Sequence, residues 1–107
     1  MKTEIKVLLY LKRNGQGKDG LCPLMGRIMV KGTVNSVTQF GCKIKVDPKL
    51  WNATSQRCTG KSRMAVTTNR EIDRMLLLLQ RRYNELAEIS DDITAAQIRD
   101  AFQGMAE

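Results

Sequence analysis

A chain of 107 residues with 42% apolar and 27% charged content predicts one domain around a single modest core. It has no histidine and only three widely separated cysteines, which removes Ser-His and Cys-His catalysis and the usual structural zinc sites. Net charge is +7, and it is lopsided: residues 1–63 hold 13 Lys/Arg against 3 Asp/Glu, while residues 64–107 hold 5 against 8.

The longest apolar run, Met75 to Leu79, falls far short of the roughly 20 residues that a membrane span needs. Met1-Lys2-Thr3-Glu4 opens a strand pattern and lacks a signal-peptide apolar region. These features predict a cytoplasmic protein with reduced thiols, Cys42 in the core, no cofactor and no membrane partner.

Along the chain, Ile5 to Lys12 alternates with period 2. Ile5, Val7, Leu9 and Leu11 point one way; Lys6, Leu8, Tyr10 and Lys12 point the other. Arg13 to Pro23 is a glycine-rich loop that lacks the pattern of a phosphate cradle. A second strand runs from Leu24 to Val30, with Leu24, Gly26, Ile28 and Val30 opposite Met25, Arg27 and Met29. In the third, Val34, Thr38, Phe40, Cys42, Ile44 and Val46 share one parity, while Val37, Gln39, Gly41, Lys43 and Lys45 take the other. A one-residue slip would flip every side chain, so the intervening turn should hold an odd number of residues: Lys31-Gly32-Thr33 is the shortest choice, a five-residue or bulged loop reaching toward Asn35-Ser36 the alternative.

Asp47-Pro48 ends the sheet, because proline donates nothing to a ladder. Leu50 and Trp51 read as an apolar plug, and Asn52 to Lys61 as a mobile polar loop. Ser62 is an N-cap for a long helix to Glu88. Its stripe of Ile72, Leu76, Leu79, Tyr83 and Leu86, widened by Met75, packs on the sheet. Leu77 and Leu78 lie off that stripe. Thr94 and Gln97 form a capping-box pair before a short helix with Ile98, Ala101 and Phe102 on one face and Gly104 as its stop. The abrupt ending suggests a piece of something longer.

The expected fold is therefore α+β: a three-stranded antiparallel sheet backed by a long C-terminal helix, with a short additional terminal helix. Residues 1–89 would form the domain (sheet 4–46, loop 47–61, helix 62–88), and residues 90–107 a short helix leading into a linker. The sheet would carry Lys6, Tyr10, Lys12, Arg27, Lys43 and Lys45 outward. Lys31, Lys49, Arg57 and Lys61 would sit in loops or at strand ends as phosphate anchors. A three-stranded sheet is about 10 Å across, comparable with a duplex major groove of about 12 Å. Arg27 can bond guanine bidentately, and Lys43 and Lys45 can reach base acceptors or phosphates. This predicts a DNA-binding module rather than an enzyme. The alternative is a protein-interaction module using the helix or the Met25/Met29 patch. RNA fits less well, since Tyr10 is the one stacking aromatic on that face.

IKVLLYLK over Ile5–Lys12, Gly20-Leu21-Cys22-Pro23-Leu24-Met25-Gly26-Arg27-Ile28, FGCKIKV over Phe40–Val46, Pro48-Lys49-Leu50-Trp51 and Gly60-Lys61-Ser62 occur in that order. Together they resemble the N-terminal region of tyrosine recombinases, above all integrases of Bacteroides-type phages and of conjugative or mobilizable elements. The resemblance implies an arm-type DNA-binding domain whose sheet enters the major groove of accessory sites beside the crossover region. It implies double-stranded DNA as partner, with other integrase subunits or a directionality factor as further candidates and the isolated domain a monomer. The family's catalytic arginines, histidines and nucleophilic tyrosine have no matching positions here. Strand cleavage would belong to a parent tyrosine recombinase.

Overall fold

The computed structural model describes residues 4–31 and 35–104. In chain order it has β1 (Glu4–Leu11), β2 (Cys22–Lys31), β3 (Ser36–Val46), β4 (Trp51–Asn52), β5 (Arg57–Cys58), α1 (Arg63–Ile89) and α2 (Ala95–Gly104). β1, β2 and β3 form one antiparallel sheet in that order, and β4 and β5 form a separate pair. The expected α+β class and strand count are those observed. Gly32 and Thr33, assigned to the β2–β3 turn, and the adjacent Val34 lie outside the described residues.

Strand parity governs burial. Along β2, Cys22, Leu24, Gly26, Ile28 and Val30 are buried, and the alternate residues Met25, Arg27 and Met29 are half-buried. Even the outward row is partly covered, because β2 is the central strand and has a neighbour on each side. β3 is an edge strand, so its outward row is open: Val37, Gln39, Gly41, Lys43 and Lys45 are exposed between buried Phe40, Cys42, Ile44 and Val46. β2 begins at Cys22, two residues earlier than its alternation suggested. The cause is that the Lys12 N–H donates to the Pro23 carbonyl at 3.0 Å, carrying the pairing past the end of β1. Between them the chain makes one 3-10 turn, Arg13–Gly15, and closes at Gly20, whose φ of +81° suits glycine.

The segment expected to be a mobile loop is instead a hairpin. Trp51 faces Cys58 and Asn52 faces Arg57. The Asn52 Oδ1 accepts from the N–H groups of Thr54 and Ser55, at 2.9 and 3.1 Å, and so folds the turn. Its polar composition had masked this. The order comes from side-chain bonds to backbone, which compete with regular structure at Asn and Asp positions.

Contacts divide the chain into two compact units: Met1–Val7, Arg27–Phe40 and Leu76–Glu107 form one, and Leu8–Gly26 with Gly41–Met75 the other. In the second, Leu24, Val46, Ala65 and Ile72 are 0–1% exposed. Each such Leu, Val or Ile contributes roughly 1.5–3 kcal/mol of burial. β5 is tied to α1 there by Asn69, which accepts from the Cys58 N–H at 2.7 Å and donates to the Cys58 carbonyl at 3.0 Å. Gln56 Oε1 accepts from the Leu9 N–H at 2.8 Å, occupying a donor of edge strand β1. Ser62 caps α1 as expected, its hydroxyl accepting from the Ala65 N–H at 3.2 Å.

In the first unit, Ile28, Leu79, Ala95 and Ile98 have no exposed surface. The capping box is present: Thr94 N–H donates to Gln97 Oε1 at 2.9 Å, and Gln97 N–H to Thr94 Oγ1 at 3.2 Å. α2 is fastened to β3. Ala95 N–H donates to Ser36 Oγ at 2.8 Å, Arg99 Nη1 donates to Thr38 Oγ1 at 2.8 Å, and Phe102 packs edge-on against Phe40 with centroids 5.7 Å apart. Ile93, Ala95 and Ile98, within the segment expected to lead into a linker, thus contribute to this unit's core.

Candidate nucleic-acid interface

The exposed sheet row follows from the same parity that buries the apolar one. In the Leu8–Gly26/Gly41–Met75 unit it carries Tyr10, half-buried, from β1, exposed Lys12 just after it, half-buried Met25 from β2, and exposed Lys43 and Lys45 from β3. In the other unit it carries exposed Lys6, half-buried Arg27 and Met29, and exposed Lys31. Each sheet cation thus stands on the side that alternation assigned.

Lys43 has φ +60°, in the left-handed region that a side chain other than glycine enters at a cost. The preceding outward residue is Gly41, and a Cβ built there would meet nothing within 4 Å. The strand surface before Lys43 is therefore open for close approach of another molecule. Lys45 Nζ lies 4.0 Å from Asp19 Oδ2, with the two side chains 69% and 49% exposed. An ion pair this long and solvated is weak and leaves the ammonium available.

The predicted anchors divide. Lys49 is exposed in the turn after β3, where Asp47 Oδ1 accepts from its N–H at 3.0 Å. Lys61 is exposed immediately before α1. Arg57 is engaged elsewhere: its Nη2 and Nε donate to Asp73 Oδ1 at 2.9 and 3.2 Å, and Nη1 to the Gln56 carbonyl at 2.8 Å. Those bonds fasten the hairpin to α1 and pair its charge with Asp73 at the surface.

Reading by charge totals missed one set of cations. α1 carries Arg63 at the end of the basic half, and Arg70, Arg74 and Arg81 within the half whose net charge is −3, all exposed. The signal was in the helical projection, not in the sum.

The three thiols are free and buried, Cys42 among them as expected. Burial pushes the Cys42 thiol up to about 12. Burial also raises Cys58, against a hydrogen bond with Thr68 that lowers it, and the Asp47 charge adds to the rise. Among the described residues no three His, Cys, Asp or Glu side chains are grouped to hold a metal ion. Among the described residues no helix is long and apolar enough to cross a membrane.

A family model described as an Arm DNA-binding domain matches residues 9–99. No curated protein and no solved structure matches the chain.

Proposed function

The chain belongs to the Arm DNA-binding domain family, the N-terminal arm-type domain of tyrosine recombinases, and on that footing we propose that its exposed cationic sheet row reads a DNA duplex. The family is non-catalytic and binds DNA in integrase-mediated recombination. In our reading the domain tethers a parent tyrosine recombinase in the cytoplasm to accessory arm sites, with the sheet in the major groove.

One observation carries this reading: on β3 the cations Lys43 and Lys45 are exposed while Phe40, Cys42, Ile44 and Val46 between and beside them are buried. Arg27, half-buried on the central strand, would make the bidentate base contact. Lys6 on β1, and Tyr10 and Lys12 at and just after its end, add contacts in their own units, while Lys31, Lys49 and Lys61 supply phosphate contacts. Arg57, held by Asp73, contributes structure more than charge.

Amide shift mapping with an attachment-site duplex tests the surface: the outward residues of β2 and β3 should move. Shifts confined to other surfaces would reject it. Arg27→Ala should lose discrimination at particular base pairs, whereas Lys61→Ala should weaken all sequences alike. Equal losses on specific and random DNA for both variants would refute that division of roles.

A second reading has its own observation, since Leu77 is 63% exposed on α1. It makes this face a contact for another integrase subunit or a directionality factor. Dimerisation in sedimentation that survives high salt would favour it.

A further inference from the structure

At about 100° per residue, Arg63, Arg70 and Arg74 fall within about 40° of one another, opposite the buried Ile72. They form a single row along the solvent side of α1. None of the three makes an ion pair among the described residues. Asp73, next to Arg74 in sequence, is taken by Arg57.

Such a row is unfavourable for the helix by itself. Arg70 and Arg74 are like charges at i and i+4, which repel. Arg63 occupies the first turn, where the macrodipole favours acids, and no acid is present there. The arrangement makes sense beside a linear polyanion. The row is about 16 Å long at 1.5 Å rise per residue, and a duplex presents one phosphate charge per about 1.7 Å of axis. α1 has arginine at every cationic position and no lysine, and the guanidinium fork matches phosphate bidentately. An acidic protein segment would need carboxylates at matching spacing over the same length; a phosphate backbone supplies acceptors continuously.

We infer that the outer arginine row of α1 is a second duplex-binding surface, contacting the phosphate backbone without base reading, so that one domain holds two DNA segments. It is additional to the sheet face, and its failure leaves the sheet reading standing.

The test is retention of a fluorescent random-sequence duplex by a biotinylated one through the intact 107-residue chain, at concentrations where sedimentation shows a monomer. In the Arg63→Glu, Arg70→Gln, Arg74→Gln variant, retention should fall about tenfold or more at moderate salt. Capture of the first duplex should change little. These substitutions place an acid in the first turn and remove a like-charge pair, so thermal stability should not drop.

Unchanged retention in the variant, or none by the parent chain, overturns the proposal. Labelled poly-glutamate captured as well as the second duplex, with the same sensitivity to the variant, assigns the row to an acidic protein and overturns it too. Lys43→Gln with Lys45→Gln separates the two surfaces. If first-duplex capture stays intact when that pair is combined with the arginine substitutions, the sheet reading fails, while arginine-dependent retention in the parent chain still upholds the helix row.

Discussion

Lys43 illustrates what one residue contributes beyond its charge. Its φ of +60° lies where a Cβ crowds the backbone, at a cost of roughly 1–2 kcal/mol. A β-branched residue, though a better strand former, fits that region worst. Lys43→Val should therefore lower unfolding free energy by about 1–3 kcal/mol in urea titration, while Lys43→Gly should be close to neutral. Equal stabilities would show that the left-handed turn is not maintained. Nothing in the sequence marks this position, because lysine carries no turn preference; its outward side, by contrast, was legible from alternation alone. Cys42 was legible in the same way. Its thiol, raised from 9.0 to about 12 by burial, keeps a proton that the unfolded chain releases above pH 9. That contribution to stability is complete below pH 9.0 and is lost as pH rises toward about 12. Replacing it, Cys42→Ala, should flatten the alkaline fall in stability measured by denaturant titration; an unaltered slope would contradict the assignment.

At the scale of elements, those with strong local rules could be read directly. The alternating strands, the Ser62 cap and the Thr94/Gln97 capping box all behave as their spacing requires. The β4–β5 hairpin could not. Its strands are two residues long, too short for a period, and its order depends on Asn52, Gln56 and Asn69 reaching backbone groups. The bond between Gln56 and Leu9 spans 47 residues in the chain. Asn69→Ala removes both bonds to Cys58 and leaves part-buried backbone groups unpaired. We predict a loss of about 2 kcal/mol by chemical denaturation; a change under a few tenths would mean that the hairpin is not held by this side chain. The arginine row of α1 escaped for a different reason: summed charge over a segment averages away a pattern with helical period.

For the whole molecule, the net charge of +7 is less informative than where the cations stand. Parity puts Lys12, Lys43 and Lys45 on the open side of the sheet, Arg57 is paired with Asp73, and the α1 arginines stand exposed on the helix. Five phosphate contacts from the sheet side would give a slope of log K against log salt of about −4.5. The measurement that bears most directly on the sheet as the DNA-reading surface is that slope, taken on a labelled attachment-site duplex for the parent chain and for Lys43→Gln with Lys45→Gln. Two lost contacts should make the slope shallower by about 1.8. A flat dependence in the parent, or the same slope in both proteins, would contradict a duplex lying on the β3 lysines.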